Sequence, residues 1–272
     1  MYLSFVVNFE EGSEISFLNG DIVNNAIYDG HDNIDGRDYC LSSHFEYSLY
    51  EGIDRILDLF NRHRTKATFS CCGLSAYKHP EIIKKIYAHS HEISAHGWRW
   101  QNHVFMSLDE ETVDINNTKQ IIYELTGKFP VGWHTRSSRS PQTRQLLYDA
   151  GFVYDSDDYS RDSAYLCNDF STPYAIIPYS FDTNDMQFLG RGNFLQGNDF
   201  FLYIKSAIEW ILYEESLTDL NSYKIVTVGL HPRIIGRAGR IGGLKELLNW
   251  IDGNEKINIS TREGIARDLI SA

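Results

Sequence analysis

"HPEIIKKIYAHSHEISAHGWRW", residues 79–100, carries a helix, a strand and a chemically loaded loop in one uninterrupted run. Pro80 has no N–H to lose and a φ already suited to a first helical turn, so it opens a helix through "EIIKKIYAH". "HEIS" (91–94) then reads as a short strand. His96, Trp98 and Trp100 follow where that strand gives way to a loop. His96 invites a metal, yet at the place of a second ligand the chain has Trp100.

The same order of elements recurs in both directions. "YLSFVV" (2–7) is a strand that runs at once into the polar "NFEEGSE". A Gly/Asn/Asp-rich stretch over 19–44 reads as a loop, after which Leu49, Ile53, Ile56, Leu57 and Phe60 recur at helical spacing. "ATFSCC" (67–72) reads as a buried strand. Ser107 and Glu110 form a capping box for a helix closed by Gly127. Ser140-Pro141 opens a helix that Gly151 ends, and "FVYDS" (152–156) is the next strand. The longest helix, about 199–217, sets Phe201, Ile204, Ile208, Ile211 and Leu212 on one face. "KIVTVGL" (224–230) is a buried strand and "GLKELLNWIDG" (243–253) a helix. A short strand "INI" (257–259) precedes a Ser260/Glu263 capping box and a final helix. With no low-complexity linker and no internal repeat, residues 1–272 are expected to form one α/β domain with parallel strands, as a barrel or an open sheet.

Composition narrows the partners. A net charge of -12 disfavours a nucleic-acid partner, which needs a basic surface. No apolar run approaches the roughly 20 residues that span a bilayer, so no membrane partner is expected. The N-terminal stretch lacks the basic region of a secretory signal. Cys71 and Cys72 are adjacent, Cys40 and Cys167 are remote, and no C-x-x-C occurs. Neither a disulfide framework nor a zinc knuckle is indicated, and a cytoplasmic location is expected.

In parallel α/β folds, reactive groups gather just beyond the strand C-termini. Four strand ends supply them here: Asn8, Glu10 and Glu11; His96, Trp98 and Trp100; His134, Arg136 and Arg139; and His231 with Arg233, Arg237 and Arg240. Any one of these is ordinarily a solvated loop or a satisfied polar residue. Together they suit hydrolysis, in which a carboxylate takes a proton from water and a histidine gives one to a leaving nitrogen. No G-x-S-x-G elbow provides a serine nucleophile, and "GLHPRIIGRAGRIGG" (229–243) matches neither a Walker loop nor G-x-G-x-x-G.

At these strand ends the sequence resembles the polysaccharide-deacetylase superfamily, the NodB-homology or carbohydrate esterase family 4 proteins. Within it, the sequence is most like the metal-independent bacterial allantoinase branch. The resemblance runs through "VNFEEGSE" (7–14), "GRDYCLSSHFEYSLYEGIDRILDLF" (36–60), "HEISAHGWRW" (91–100), "PVGWHTRSSRSPQTRQLLYDAGFVYDSDDYSRD" (130–162), "IPYSFDTNDMQF" (177–188) and "VGLHPRIIGRAGR" (228–240). It implies a distorted, partly open (β/α)7 barrel in a single domain. Where metal-dependent members read T-F-D-D-G, this chain reads Asn8-Phe9-Glu10-Glu11-Gly12, so Glu10 inherits the general-base position and Glu11 a metal-ligand position. Where they read H-[ST]-x-x-x-H, His96 matches the first histidine and Trp100 replaces the second. An indole N–H only donates and cannot ligate a cation. His103 could substitute only by a different loop path. The expectation is therefore no metal or other cofactor; a divalent metal such as zinc is the alternative, and Glu11 and His96 would hold it.

His231 matches the family's late histidine and is the expected general acid. His134 falls near the place of the family's third-motif arginine, with Arg136 and Arg139 in the loop beyond it. The catalytic set is thus Glu10, Glu11, His96 and His231. Trp98, Trp133, Arg136, Arg139, Asp185 and Arg237 are expected to contact substrate. The leading reading is hydrolysis of a carbon–nitrogen amide bond in a small cyclic amide or ureide such as allantoin. The alternatives are N-deacetylation or deformylation of an amino sugar and, in another class, a non-catalytic glycan-binding or assembly protein. A homo-oligomer, in the allantoinase manner a tetramer, is also implied.

Overall fold

The computed structural model describes residues 1–25, 34–190, 193–217 and 223–272. Its strands are β1 (Tyr2–Phe9), β2 (Thr68–Cys71), β3 (Glu92–Ala95), β4 (Gly132–Trp133), β5 (Tyr154–Asp155), β6 (Tyr165–Cys167), β7 (Tyr174–Ile176), β8 (Ile225–Leu230) and β9 (Asn258–Ile259). They form one sheet in the order β6-β7-β5-β4-β3-β2-β1-β8. Every pairing is parallel except β6 with β7, and β9 pairs with the start of β1, below the reach of β2. The sheet curls into a half-barrel, and its helices are α1 (Tyr39–Tyr47), α2 (Ile53–Arg62), α3 (Gly73–Lys78), α4 (Pro80–Ala88), α5 (Leu108–Thr126), α6 (Thr143–Asp149), α7 (Gly197–Ser216), α8 (Ile241–Ile251) and α9 (Arg262–Ser271).

Strand alternation divides the interior into two chemistries. Leu3, Phe5, Val7 and Phe9 of β1, with Phe69, Ile93, Trp133, Val226, Val228 and Leu230, face the helices and form the main apolar core. The intervening side chains Ser4, Asn8, Thr68, Ser70, Ser94 and Thr227 are buried and polar. They line the concave side, which ends at the catalytic loops.

The gap between β8 and the far arm of the sheet is spanned rather than closed. Asn184 makes an isolated parallel bridge to Gly229, and Ser163 an antiparallel one to Lys224. Arg262, at the start of α9, is buried inside the curl and pins both edges. Its guanidinium donates to Thr227 Oγ1 on β8 (3.0 Å), Ser156 Oγ after β5 (2.8 Å), and the carbonyls of Ile177 and Pro178 beyond β7. Arg262 thus adds a buried side-chain tie to the two bridges across the seam of a partly open barrel.

Several expected boundaries hold. Ser107 and Glu110 cap α5 reciprocally, and Gly127 ends it at φ 72°. The final helix is capped one residue later than expected: Thr261 Oγ1, not Ser260, accepts from the Gly264 N–H (3.1 Å). The 19–44 loop is shorter than expected, because α1 begins at Tyr39 with the Asp38 carboxylate accepting the Leu41 N–H (2.9 Å); residues 26–33 lie outside the described residues. Helix α3 and strands β6 and β7 carry too short a pattern to stand out in the sequence.

Between α1 and α2 lies a π turn, Ser48–Gly52. A Cβ at Gly52 would sit 2.1 Å from the Pro232 carbonyl oxygen, so only glycine lets this turn meet the loop after β8. That contact brings Ser48 and Arg233 to the same point, next to Glu11.

Candidate active site

Glu10 and Glu11 leave the end of β1 and turn inward instead of into solvent. Glu10 is 1 % exposed and Glu11 fully buried. Glu11 accepts Ser48 Oγ–H on Oε1 (2.6 Å) and the Glu10 backbone N–H on Oε2 (3.0 Å). Arg233 forks between the pair, donating to Glu10 Oε2 (2.6 Å) and Glu11 Oε1 (3.2 Å). Two buried carboxylates and one buried guanidinium leave a local surplus of negative charge, which His231 faces.

His231 follows β8 and faces Glu10 Oε1 at 3.6 Å through Nε2. Its Nδ1 donates to Asp185 Oδ1 (2.6 Å), while Asp185 Oδ2 accepts the backbone N–H groups of His231 (2.6 Å) and Ile235 (3.1 Å). Burial opposes the imidazolium, but the carboxylates of Asp185 and Glu10 outweigh it and push His231 up to about 9. Burial likewise pushes Glu10 up, yet the charges of Arg233 and His231 hold it well below the usual carboxylate range. Glu11 goes the other way, because its burial exceeds what Arg233 and Ser48 return. At neutral pH the arrangement is an ionised Glu10 beside a protonated His231: a base and an acid in contact.

His96 completes the layer. Its Nε2 lies 3.3 Å from Glu10 Oε1, and its Nδ1 meets the His134 carbonyl, which leaves Nε2 as the working nitrogen. His134 stacks on His96, with ring centroids 5.1 Å apart, and burial together with the neighbouring His96 holds it well below 6.5. Glu10 Oε1 is therefore the one oxygen that His96 and His231 both address.

The chain has relatives over its whole length. The sequence pattern of the family described as "Polysaccharide deacetylase" matches residues 35–154. A Schizosaccharomyces pombe protein named "Putative polysaccharide deacetylase" is 33 % identical over 97 % of this chain and 88 % of its own length. The chain belongs to the polysaccharide deacetylase family. Among solved structures, PuuE allantoinase superposes with a TM-score of 0.92 at 34 % identity, covering 100 % of this chain and 90 % of that one. A Pseudomonas aeruginosa PAO1 protein titled "probable Polysaccharide deacetylase" superposes at 0.90 with 36 % identity, covering 98 % and 89 %. The chain is accordingly a hydrolase of carbon–nitrogen bonds other than peptide bonds, built on the family's curled half-barrel.

The residues present do not fit the family's catalytic cation. Trp100 stands half-buried in the third-ligand position and offers no lone pair. Arg233 already presents a fixed positive charge to both carboxylates. His103, the conceivable substitute, is spoken for. Its Nδ1 meets Glu111 (3.1 Å) and its Nε2 meets Asp114 (3.4 Å), and together the two carboxylates push it up to about 9 against burial. It braces the 97–106 loop from behind.

The structure brings Glu10, Glu11, His96 and His231 into one cluster and adds Arg233, Asp185 and Ser48 to it. Asp185 is corrected from a substrate contact to a positioning residue, since both its oxygens are taken by the His231 segment. Trp133 is corrected as well: it lies wholly in the helix-side core, edge-on to Phe152 and His103, with its N–H on Thr135 (2.8 Å). Trp98 packs over Gly73, where a Cβ would come within 2.5 Å of its ring. Arg237 stacks on Tyr47 (3.7 Å) and donates to His44 (3.0 Å), and Arg139 donates to the Ser140 carbonyl (3.1 Å). Arg136 lies over the Trp100 ring (3.9 Å). Nothing in the spacing of Arg233, Arg237 and Arg240 singles out the first; the π turn at Gly52 selects it.

Proposed function

We propose that this chain opens a small cyclic amide or ureide, with allantoin as the reference substrate, and does so without a bound metal. The observation that carries the reading is the Arg233 fork across Glu10 and Glu11, which supplies at that point the positive charge a cation would bring. The whole-length likeness to PuuE allantoinase supports it. Glu10, kept ionised, takes a proton from water held at Oε1, and the resulting hydroxide adds to the carbonyl carbon. His96, whose Nδ1–H is given to the His134 carbonyl, faces the same oxygen through Nε2 and orients the attacking water by accepting from it. His231, kept protonated by Asp185 and Glu10, gives its proton to the departing nitrogen.

The deciding experiment is a turnover screen of allantoin, hydantoin and cyclic imides against N-acetylated amino sugars, with metal content measured on the same preparation. Ring opening by metal-free protein supports the reading. Turnover of acetylated sugars alone, or turnover abolished by chelation and restored by zinc, overturns it in favour of an amino-sugar N-deacetylase. That second reading is favoured by the Schizosaccharomyces pombe relative's name. A purely binding role fits poorly with an acid–base pair kept poised and buried.

The two pKa directions fix the pH profile. Because Glu10 is depressed and His231 raised to about 9, kcat/KM should stay level through neutrality and fall about tenfold per unit above pH 9. A rise in rate through pH 6.5 would instead make His231 a base and reverse the assignment.

Among the described residues no helix is long and apolar enough to cross a membrane. A homo-oligomer in the cytoplasm is part of the same proposal. The oligomer is supported by an exposed stripe along α7, formed by Tyr203, Trp210 and Tyr213 and continued by Leu217 just past its end.

A further inference from the structure

Trp100 is flanked by two guanidiniums in opposite electrostatic states. Arg233 lies 5.3 Å from its ring centroid and is matched by Glu10 and Glu11. Arg136 lies 3.9 Å from the same ring and donates to the Trp100 carbonyl (3.1 Å). Among the described residues Arg136 makes no hydrogen bond or ion pair to a carboxylate. It borders a cleft of about 420 Å³ with Ile15, Gln101, Asn102, Phe105 and Met106, large enough for a small heterocycle. The two acidic residues on that cleft are engaged elsewhere: Glu110 caps Ser107, and Asp114 holds the Trp98 N–H and His103. A half-buried arginine stacked on an indole is a preorganised fork lacking an anion.

We propose that Arg136 is a specificity-determining residue that receives the carboxylate created by ring opening. The inference rests on the cyclic-amide reading above. In that reaction the water oxygen bonds to the carbonyl carbon and the ring C–N bond breaks. One proton passes to the nitrogen, and the new carboxylic acid loses its proton to solvent. Unlike deacetylation, which splits the substrate in two, ring opening leaves one molecule bearing a fresh carboxylate beside the ionised Glu10. That anion is repelled by Glu10, and the positive fork on the same indole that no carboxylate among the described residues matches is Arg136. Trp100, in the position of a metal ligand, becomes the platform that holds the fork at the mouth.

Calorimetry with two open-chain pairs tests this without turnover: N-carbamoylglycine against its uncharged amide, and succinamate against succinamide. Wild-type protein should bind the carboxylates more tightly than the amides. Arg136→Gln should weaken carboxylate binding about thirtyfold, the loss of a charge-assisted contact, and amide binding less than about threefold. Arg136→Lys should recover part of the difference. Equal losses for both members of a pair, or no loss, would overturn the assignment even if hydantoin and succinimide are opened. Wild-type protein that binds none of the carboxylates would overturn it as well. Failure of the cyclic-amide reading is a separate result, seen as no turnover of either ring by wild-type protein.

Discussion

Glu10→Gln is expected to lower kcat/KM by roughly 10³-fold on whichever substrate the screen identifies, while leaving the fold intact. Glutamine keeps the volume and one acceptor for Arg233, so the change removes the base and little else. His231→Gln should cost about 10²- to 10³-fold, because the leaving nitrogen would then depart without its proton. The two residues touch and act on the same event, so the double variant should be little worse than the poorer single one. The check is steady-state kinetics on all three variants, with urea unfolding midpoints to confirm that each is folded. Activity that survives in both single variants would remove Glu10 and His231 from the reaction. Losses that multiply in the double variant would mean that they serve separate steps.

Much of this site was legible because its residues sit at strand ends. Buried runs such as "KIVTVGL" and capping pairs such as Ser107/Glu110 are local signals, so β8 and α5 and the polar residues after the strands could be read from the sequence. The family motifs added order and roles to Glu10, His96 and His231. What could not be read is tertiary. Asp185 looks like one more loop acid in "DTND" until the Asn184–Gly229 bridge carries it to the His231 backbone. Ser48 lies in a helical run whose π turn depends on contact with Pro232. Trp133 has the composition of a pocket wall, but strand alternation at Gly132–Trp133 turns it to the core and leaves the next residue, His134, to the site. The seam-spanning Arg262 carries no sequence signal, since its partners are one serine, one threonine and two carbonyls.

Arg233→Met should be the most destabilising single change in the site, about 3–5 kcal/mol at pH 7.5. Methionine fills a similar volume without the charge, so two buried carboxylates would face each other with no guanidinium between them. The pH dependence separates this cause from lost packing. In the wild type, Glu10 titrates below its unfolded value, so its contribution is present above about pH 4.3 and is lost as pH falls through the folded pKa. Without Arg233, Glu11, which burial already lifts, would be lifted further, and Glu10 would lose the larger of the two charges that hold it down, leaving His231 to oppose burial. Both changes disfavour the ionised carboxylates, so the variant loses stability relative to wild type as pH rises. Urea unfolding of wild type and variant at pH 5 and pH 7.5 should therefore show a gap that widens with pH. A gap of equal size at both values would assign the loss to packing against Phe45 and Trp100, which Arg233 also covers. Arg233→Lys should fall between, since an ammonium keeps the charge but cannot fork across both carboxylates.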